Sequence, residues 1–253
     1  MSNLPTRPVL PKRFYKEVTV VEEEGAHAIR LDGRAVRTPA RAVLRLPSRQ
    51  FAGVLAREWA AQVDEIDPAT MPATRLANTV IDGVEPNPAP VRDDLVRYAE
   101  TDLLAYRAAD PERLVARQRE RWDPLVRWIE AETGSRFATG EGVMYVAQAP
   151  EFVAALREHI AGEADAFRLA ALHQITTLTG SLVLSLAVAA GRLADEEAWA
   201  LAHLDEDWNI ELWGEDEDAA ARRTNRFADM RGPPCSSPAP TDLGRRQIPA
   251  NHS

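Results

Sequence analysis

The sequence predicts an α+β fold, with a small strand-rich N-terminal domain followed by a larger α-helical bundle. Three observations carry this. Residues 17–47 consist of short apolar runs with period-two alternation, "VTVVE", "HAIRLDGRAVRTP" and "AVLRLP". A stretch with three prolines in five residues, Pro86 to Pro90, then interrupts the chain. Beyond it, apolar residues recur at helical spacing almost to Arg231. The expected layout is a flexible segment 1–12, a mixed β/α domain 13–85, a helical bundle 86–230 and a disordered tail 231–253.

In the first domain, "IRLDGRAVR" alternates around Asp32-Gly33, a hairpin signal because glycine accepts the positive φ of a tight turn. Ser48 then caps a helix through "RQFAGVLAREWAAQV", whose Phe51, Val54, Leu55 and Trp59 share one face. In the second domain, "DLVRYAETDLLAYR" reads as helix. So does "DPERLVARQRERWDPLVRWIEAETG", opened by Pro111, closed by Gly134 and kinked or split at Pro124. Further helices are expected from Pro150, from Glu163 and from Asp195 onward. The run from Leu169 to Gly191 has no Asp, Glu, Lys or Arg and is long enough to span a bilayer. Its polar His173, Gln174, threonines and serines, and its internal Gly180, favour instead a helix buried on all sides. The segment after Arg231 has no apolar periodicity with which to offset its ordering entropy.

Composition narrows the function. A net charge of −9 with no run of basic residues speaks against nucleic acid as a partner. Lys12 and Lys16 are the only lysines; the other basic side chains are arginine. A single cysteine, Cys235, allows neither a disulfide framework nor a thiolate metal site. The N-terminus lacks an apolar signal region, so cytoplasmic residence is the expectation. No phosphate-cradling loop, dinucleotide fingerprint, nucleophile elbow or paired-histidine zinc motif occurs, and no cofactor or metal is expected.

The most distinctive stretch is "HLDEDWNIELWGEDEDAAARR", with eight carboxylates between Asp205 and Asp218 and two tryptophans among them. On one continuous helix, Leu201, Leu204, Trp208, Leu212 and Ala219 form a core stripe. Trp199, Ile210 and Trp213 lie roughly opposite, interleaved with Glu206 and Glu217 and followed by Gly214, where a partner's backbone has room to approach. Tryptophan among polar groups is the composition of a binding hot spot. The alternative is that both faces are buried and the acids only solvate the edges. Arg222, Arg223 and Arg226 suit a helix C-terminus. His203, Glu206 and Asp207 have metal-ligand spacing, but the order is the reverse of a di-iron helix and occurs once.

Taken together, "KRFYKEV", "LDGRAVRTPAR", "REWAAQVDEIDPATMPATRLANTVID", "TDLLAYRA", "QRERWDPLVRW" and "LDEDWNIELWG" resemble the assembly chaperones of the F-type ATP synthase catalytic head that act on its α subunit. The resemblance runs from about Arg13 to Arg226. It implies a mixed β domain with an orthogonal helical bundle. The implied function is that of a non-enzymatic holdase that covers the free α subunit where the β subunit later sits; the chain itself is expected to be a monomer. It places the family's critical acid at Asp205, with Glu206 adjacent, and an important tryptophan at Trp59, which also lies on its helix's apolar face. The client-binding set is then Asp205, Glu206, Ile210, Trp213, Gly214 and Glu217, with Trp59 and Trp208 structural or functional. The competing readings are a metal-dependent hydrolase using the carboxylates of 205–218 and a general protein-binding scaffold.

Overall fold

Hairpin chemistry organises the first part of the chain. The structure, a computed structural model, describes residues 10–142 and 144–230. These fall into two compact units, one running to Asn87 and one from Pro88. In the first unit, β1 (Val18–Glu23) pairs antiparallel with β2 (Ala26–Leu31), which also pairs with β3 (Arg34–Ala35) and β4 (Arg45–Leu46). Leu31 faces Arg34 across a two-residue turn in which Asp32 and Gly33 both have positive φ, 47° and 79°. The Asp32 carboxylate accepts from the backbone N–H groups of Lys16 and Glu17 at 3.0 and 2.8 Å, and these bonds hold it below the usual carboxylate range.

Helix α1 (Arg49–Ala61) starts where Ser48 Oγ accepts from Phe51 N at 3.1 Å. It packs on β1 and β2 and buries Phe51 and Leu55 completely, each worth about 1.5–3 kcal/mol. Helix α2 (Pro72–Thr79) was not among the elements expected; it runs on into a π-helical turn, Val80–Val84. Its start is capped from outside: the Glu58 carboxylate on α1 accepts from Ala73 N, Thr74 N and Thr74 Oγ1 at 2.7–2.8 Å. Of the segment expected to be flexible, residues 1–9 lie outside the described residues. Lys12 is bridged to Glu65, and Ile66 N donates to Pro11 O at 2.8 Å.

The second unit is helical, with one short parallel pair, β5 (Tyr106–Arg107) and β6 (Gly140–Glu141). Helix α3 (Ala89–Glu100) is shorter than "DLVRYAETDLLAYR" predicts. Asp102 captures Leu104 N at 3.0 Å and turns the chain into a 3₁₀ turn, Leu103–Ala105. Helix α4 (Glu112–Thr133) is not split: it passes through Pro124 without interruption because its other face buries Trp122, Leu125, Val126, Trp128 and Ile129. Helix α5 (Pro150–Gly162) starts as expected, whereas α6 (Ala166–Thr179) starts three residues after Glu163, where the Asp165 carboxylate caps Phe167 N.

The apolar run 169–191 is two helices rather than one, α6 and α7 (Leu182–Ala189), because Gly180 adopts φ 71° and ends α6. Every residue from Leu182 to Val188 is buried, and α7 packs on α3, α4, α6 and the next helix. Among the described residues no helix is long and apolar enough to cross a membrane. The single helix expected from Asp195 is three: α8 (Asp195–Ala202), α9 (Leu204–Trp213) and α10 (Glu217–Met230). The expectation of a disordered tail at 231–253 falls outside the described residues.

Candidate functional site

Helix α9 is held mainly by polar contacts. Leu204 is its one fully buried side chain. At its start, Asp205 Oδ1 accepts from Gln118 Nε2 at 2.7 Å, and Gln118, buried on α4, also accepts from Ala108 N at 2.8 Å. Further along, Arg117 of α4 grips Glu211 with two hydrogen bonds, 2.7 and 2.9 Å, and lies 4.9 Å over the Trp208 ring. The pairing lowers the Glu211 pKa and raises that of Arg117. On the other side Asp207 pairs with Arg223 of α10, whose pKa rises chiefly through that hydrogen bond. Arg222, Arg223 and Arg226 therefore lie inside α10 rather than at a helix C-terminus.

The break at His203 changes which residues share a face. Trp199 is 6% exposed and belongs to the core with Ile175, Val188, Ala198 and Met230. Its ring lies 3.9 Å from His203 and 5.4 Å from Phe227. It is not part of an exposed patch with Trp213. Leu212, expected in the core stripe, is 55% exposed, and Trp213 is 84% exposed. Ile210 and Trp208 are half-buried, and Gly214, Glu206 and Glu217 are exposed. The open surface is thus the C-terminal end of α9. Leu212 belongs to it: it shares α9 with Leu204 and Trp208, but it lies in the last turn, where Glu211, Leu212 and Trp213 are all exposed.

The acids divide into two sets. Asp205, Asp207 and Glu211 are spent on tying α9 to its neighbours, and Asp216 accepts from Ala219 N at 2.8 Å at the start of α10. Among the described residues, Glu206, Glu215, Glu217 and Asp218 have no arginine or lysine within ion-pair distance. Glu206 lies 4.0 Å from His203 Nε2, but burial pushes the His203 pKa down, and its Nδ1 faces Trp199 O at 2.8 Å. His203, Glu206 and Asp207 do not converge, and among the described residues no group of three His, Cys, Asp or Glu side chains is arranged to hold a metal ion.

Trp59 stands apart, in the first unit. Its carbonyl accepts from Tyr15 Oη at 2.7 Å, its ring lies 5.7 Å from that of Tyr15, and its buried Nε1 has no hydrogen-bond partner among the described residues. It clamps the N-terminal segment onto α1.

Comparison with known proteins identifies the family. The ATP12 chaperone protein family matches residues 12–130. The mitochondrial protein atp12 of Schizosaccharomyces pombe is 25% identical over 220 residues, spanning 82% of this chain and 75% of its own. The crystal structure of Atp12 from Paracoccus denitrificans superposes with a TM-score of 0.81 at 44% identity, covering 87% of this chain and 94% of that one. An aspartate-to-lysine variant of that protein matches equally well, at 43% identity and TM-score 0.81 over the same shares. The Atu1473 protein of Agrobacterium tumefaciens is 51% identical at TM-score 0.81, covering 88% of this chain and 83% of its own. With that identity sustained over nearly all of both chains, and with an α+β fold in common, the chain belongs to the ATP12 family, the assembly chaperones of the F1-ATPase.

Proposed function

We propose that this chain binds the free α subunit of the F1 head as a monomer and keeps it from aggregating until the β subunit pairs with it, using the exposed end of α9. The observation that carries this reading is Trp213, 84% exposed at the tip of a helix whose other side is tied down. An indole held in water on a pre-positioned helix is a ready anchor for an apolar surface. Ile210 and Leu212 extend the apolar area, and Gly214 leaves the approach clear. Glu206 and Glu217, with no arginine or lysine within ion-pair distance among the described residues, offer charge to an arginine- or lysine-bearing rim on the client. Exposed pairs of that kind form and exchange quickly, which suits a protein that must later give way to the β subunit. Asp205 acts differently, by positioning α9 through Gln118.

Capture of purified F1 α subunit and suppression of its aggregation test the reading. Trp213→Ala should bind about ten-fold more weakly or worse, the loss of a hot-spot residue. Glu206→Lys should melt like the parent yet bind more weakly, while Asp205→Lys should also lose about 1–3 kcal/mol of stability, since it strands the buried Gln118 amide. Trp213→Ala and Glu206→Lys proteins that capture and protect the α subunit as well as the parent would overturn it.

A further inference from the structure

Helix α9 is short, and its own sequence does little to hold its C-terminal end. Its residues, "LDEDWNIELW", include no lysine or arginine, so none of them offsets the partial negative charge where its last carbonyls collect. Glu211, in that last turn, adds a carboxylate to the same end, which an isolated helix disfavours. Beyond Glu211 burial gives no help, since Leu212 is 55% and Trp213 84% exposed. The missing cation comes from α4. Arg117 closes its forked hydrogen bonds onto Glu211, and its guanidinium lies over the ring of Trp208, three residues earlier on α9. Asp207 also attracts it through space. Gln118, next to it in sequence, holds the start of α9 through Asp205, so adjacent residues of α4 secure both ends of the helix.

We propose that Arg117 is the positioning residue for the client-binding end of α9, keeping its last turn helical so that Trp213 is preset for the client; this rests on the α-subunit reading above. An exposed ion pair by itself contributes little. Here the forked geometry, the stacked ring and the charge of a helix end all act on one guanidinium. The last turn closes with Gly214 N donating to Ile210 O at 2.9 Å, a bond that opens whenever this end frays. Trp213 lies inside that turn, two residues past the tether. A frayed anchor must be ordered at the moment of binding, and that cost is subtracted from affinity. Arg117 meets the cost in the free protein, through Glu211 and Trp208 rather than through the client.

Backbone amide exchange of the full-length protein without a client reads the hold on α9, and capture of purified α subunit reads its use. Arg117→Ala should melt like the parent, exchange the amides of 211–214 several-fold faster and bind the α subunit about five-fold more weakly. In a Trp213→Ala background the same change should cost no further affinity, since Arg117 acts through that indole. Adding Glu211→Gln to Arg117→Ala removes the unpaired charge from the helix end and should restore part of both protection and affinity. If Arg117→Ala leaves exchange and capture unchanged while Trp213→Ala fails to capture, the positioning role is wrong and the Trp213 reading stands. Weaker capture with unchanged exchange, repeated in the Trp213→Ala background, would make Arg117 a direct client contact and overturn the positioning role. If the parent captures no α subunit, the α-subunit reading falls and this inference with it.

Discussion

Asp102 shows how much a single side chain organises here. Wholly buried, it accepts from Leu104 N, Val183 N and Ser181 Oγ at 3.0, 3.0 and 2.7 Å, so it caps both the 3₁₀ turn and the start of α7. Burial nevertheless outweighs those donors and pushes its carboxyl from 3.8 up to about 6. A carboxyl whose folded value exceeds its unfolded one takes up protons more readily when folded. Its stabilising contribution is therefore complete below the unfolded value and is lost as pH rises through about 6. Between about pH 7 and about pH 5 the parent should gain more stability, by denaturant midpoint, than Asp102→Asn gains over the same interval, whatever the variant's own stability. Equal gains would show that the carboxyl does not titrate there. None of this was legible in "AETDLLAYR", because the partners lie some 80 residues away at Ser181 and Val183. At the same scale, the exposure of Trp213 and Glu206 was legible in the sequence. The roles of Trp199 and Leu212 were not.

That failure belongs to the helices. For Trp199 the reason is a break: a wheel assigns faces only while the helix is continuous, and the chain breaks at His203, which lies between residues with no glycine or proline to mark a stop. At the break His203 takes φ −108° and ψ 21°, and its ring lies against that of Trp199 one turn back. The break at Gly180 is of the other kind, written in the sequence as a residue that takes positive φ without strain. Pro124 gave the opposite error: it signals a break that does not occur. The ring still removes the bond to the carbonyl four residues back, a cost of about 3 kcal/mol inside a helix, and the position is exposed, so no core packing depends on it. Pro124→Ala should therefore stabilise the protein by about 2 kcal/mol, after allowing for a more flexible unfolded chain. The check is a higher denaturant midpoint at unchanged slope.

For the whole molecule, the division into a strand-bearing unit and a helical unit was plain from the change of period at the Pro86–Pro90 stretch, and the contacts divide at Asn87 and Pro88. What periodicity does not encode is which acids are committed internally, since Arg117 meets Glu211 and Arg223 meets Asp207 only in the folded state. On the proposed reading, these exposed acids, together with the net charge of −9, make electrostatics the long-range part of client capture. Raising salt from about 0.05 to about 0.3 M should slow association with the α subunit several-fold and change dissociation far less, as stopped-flow mixing would read. A salt-independent association rate would assign capture to apolar contact alone. The same arrangement has an optical consequence. Of the six tryptophans, Trp122, Trp128 and Trp199 are buried, Trp59 and Trp208 half-buried, and only Trp213 stands in solvent. The most water-relaxed, quencher-accessible emission of the native chain thus comes from one indole at the proposed contact. The carboxylates beside it favour a neutral quencher over iodide, so the unlabelled protein carries its own fluorescent report of whether that end of α9 is covered.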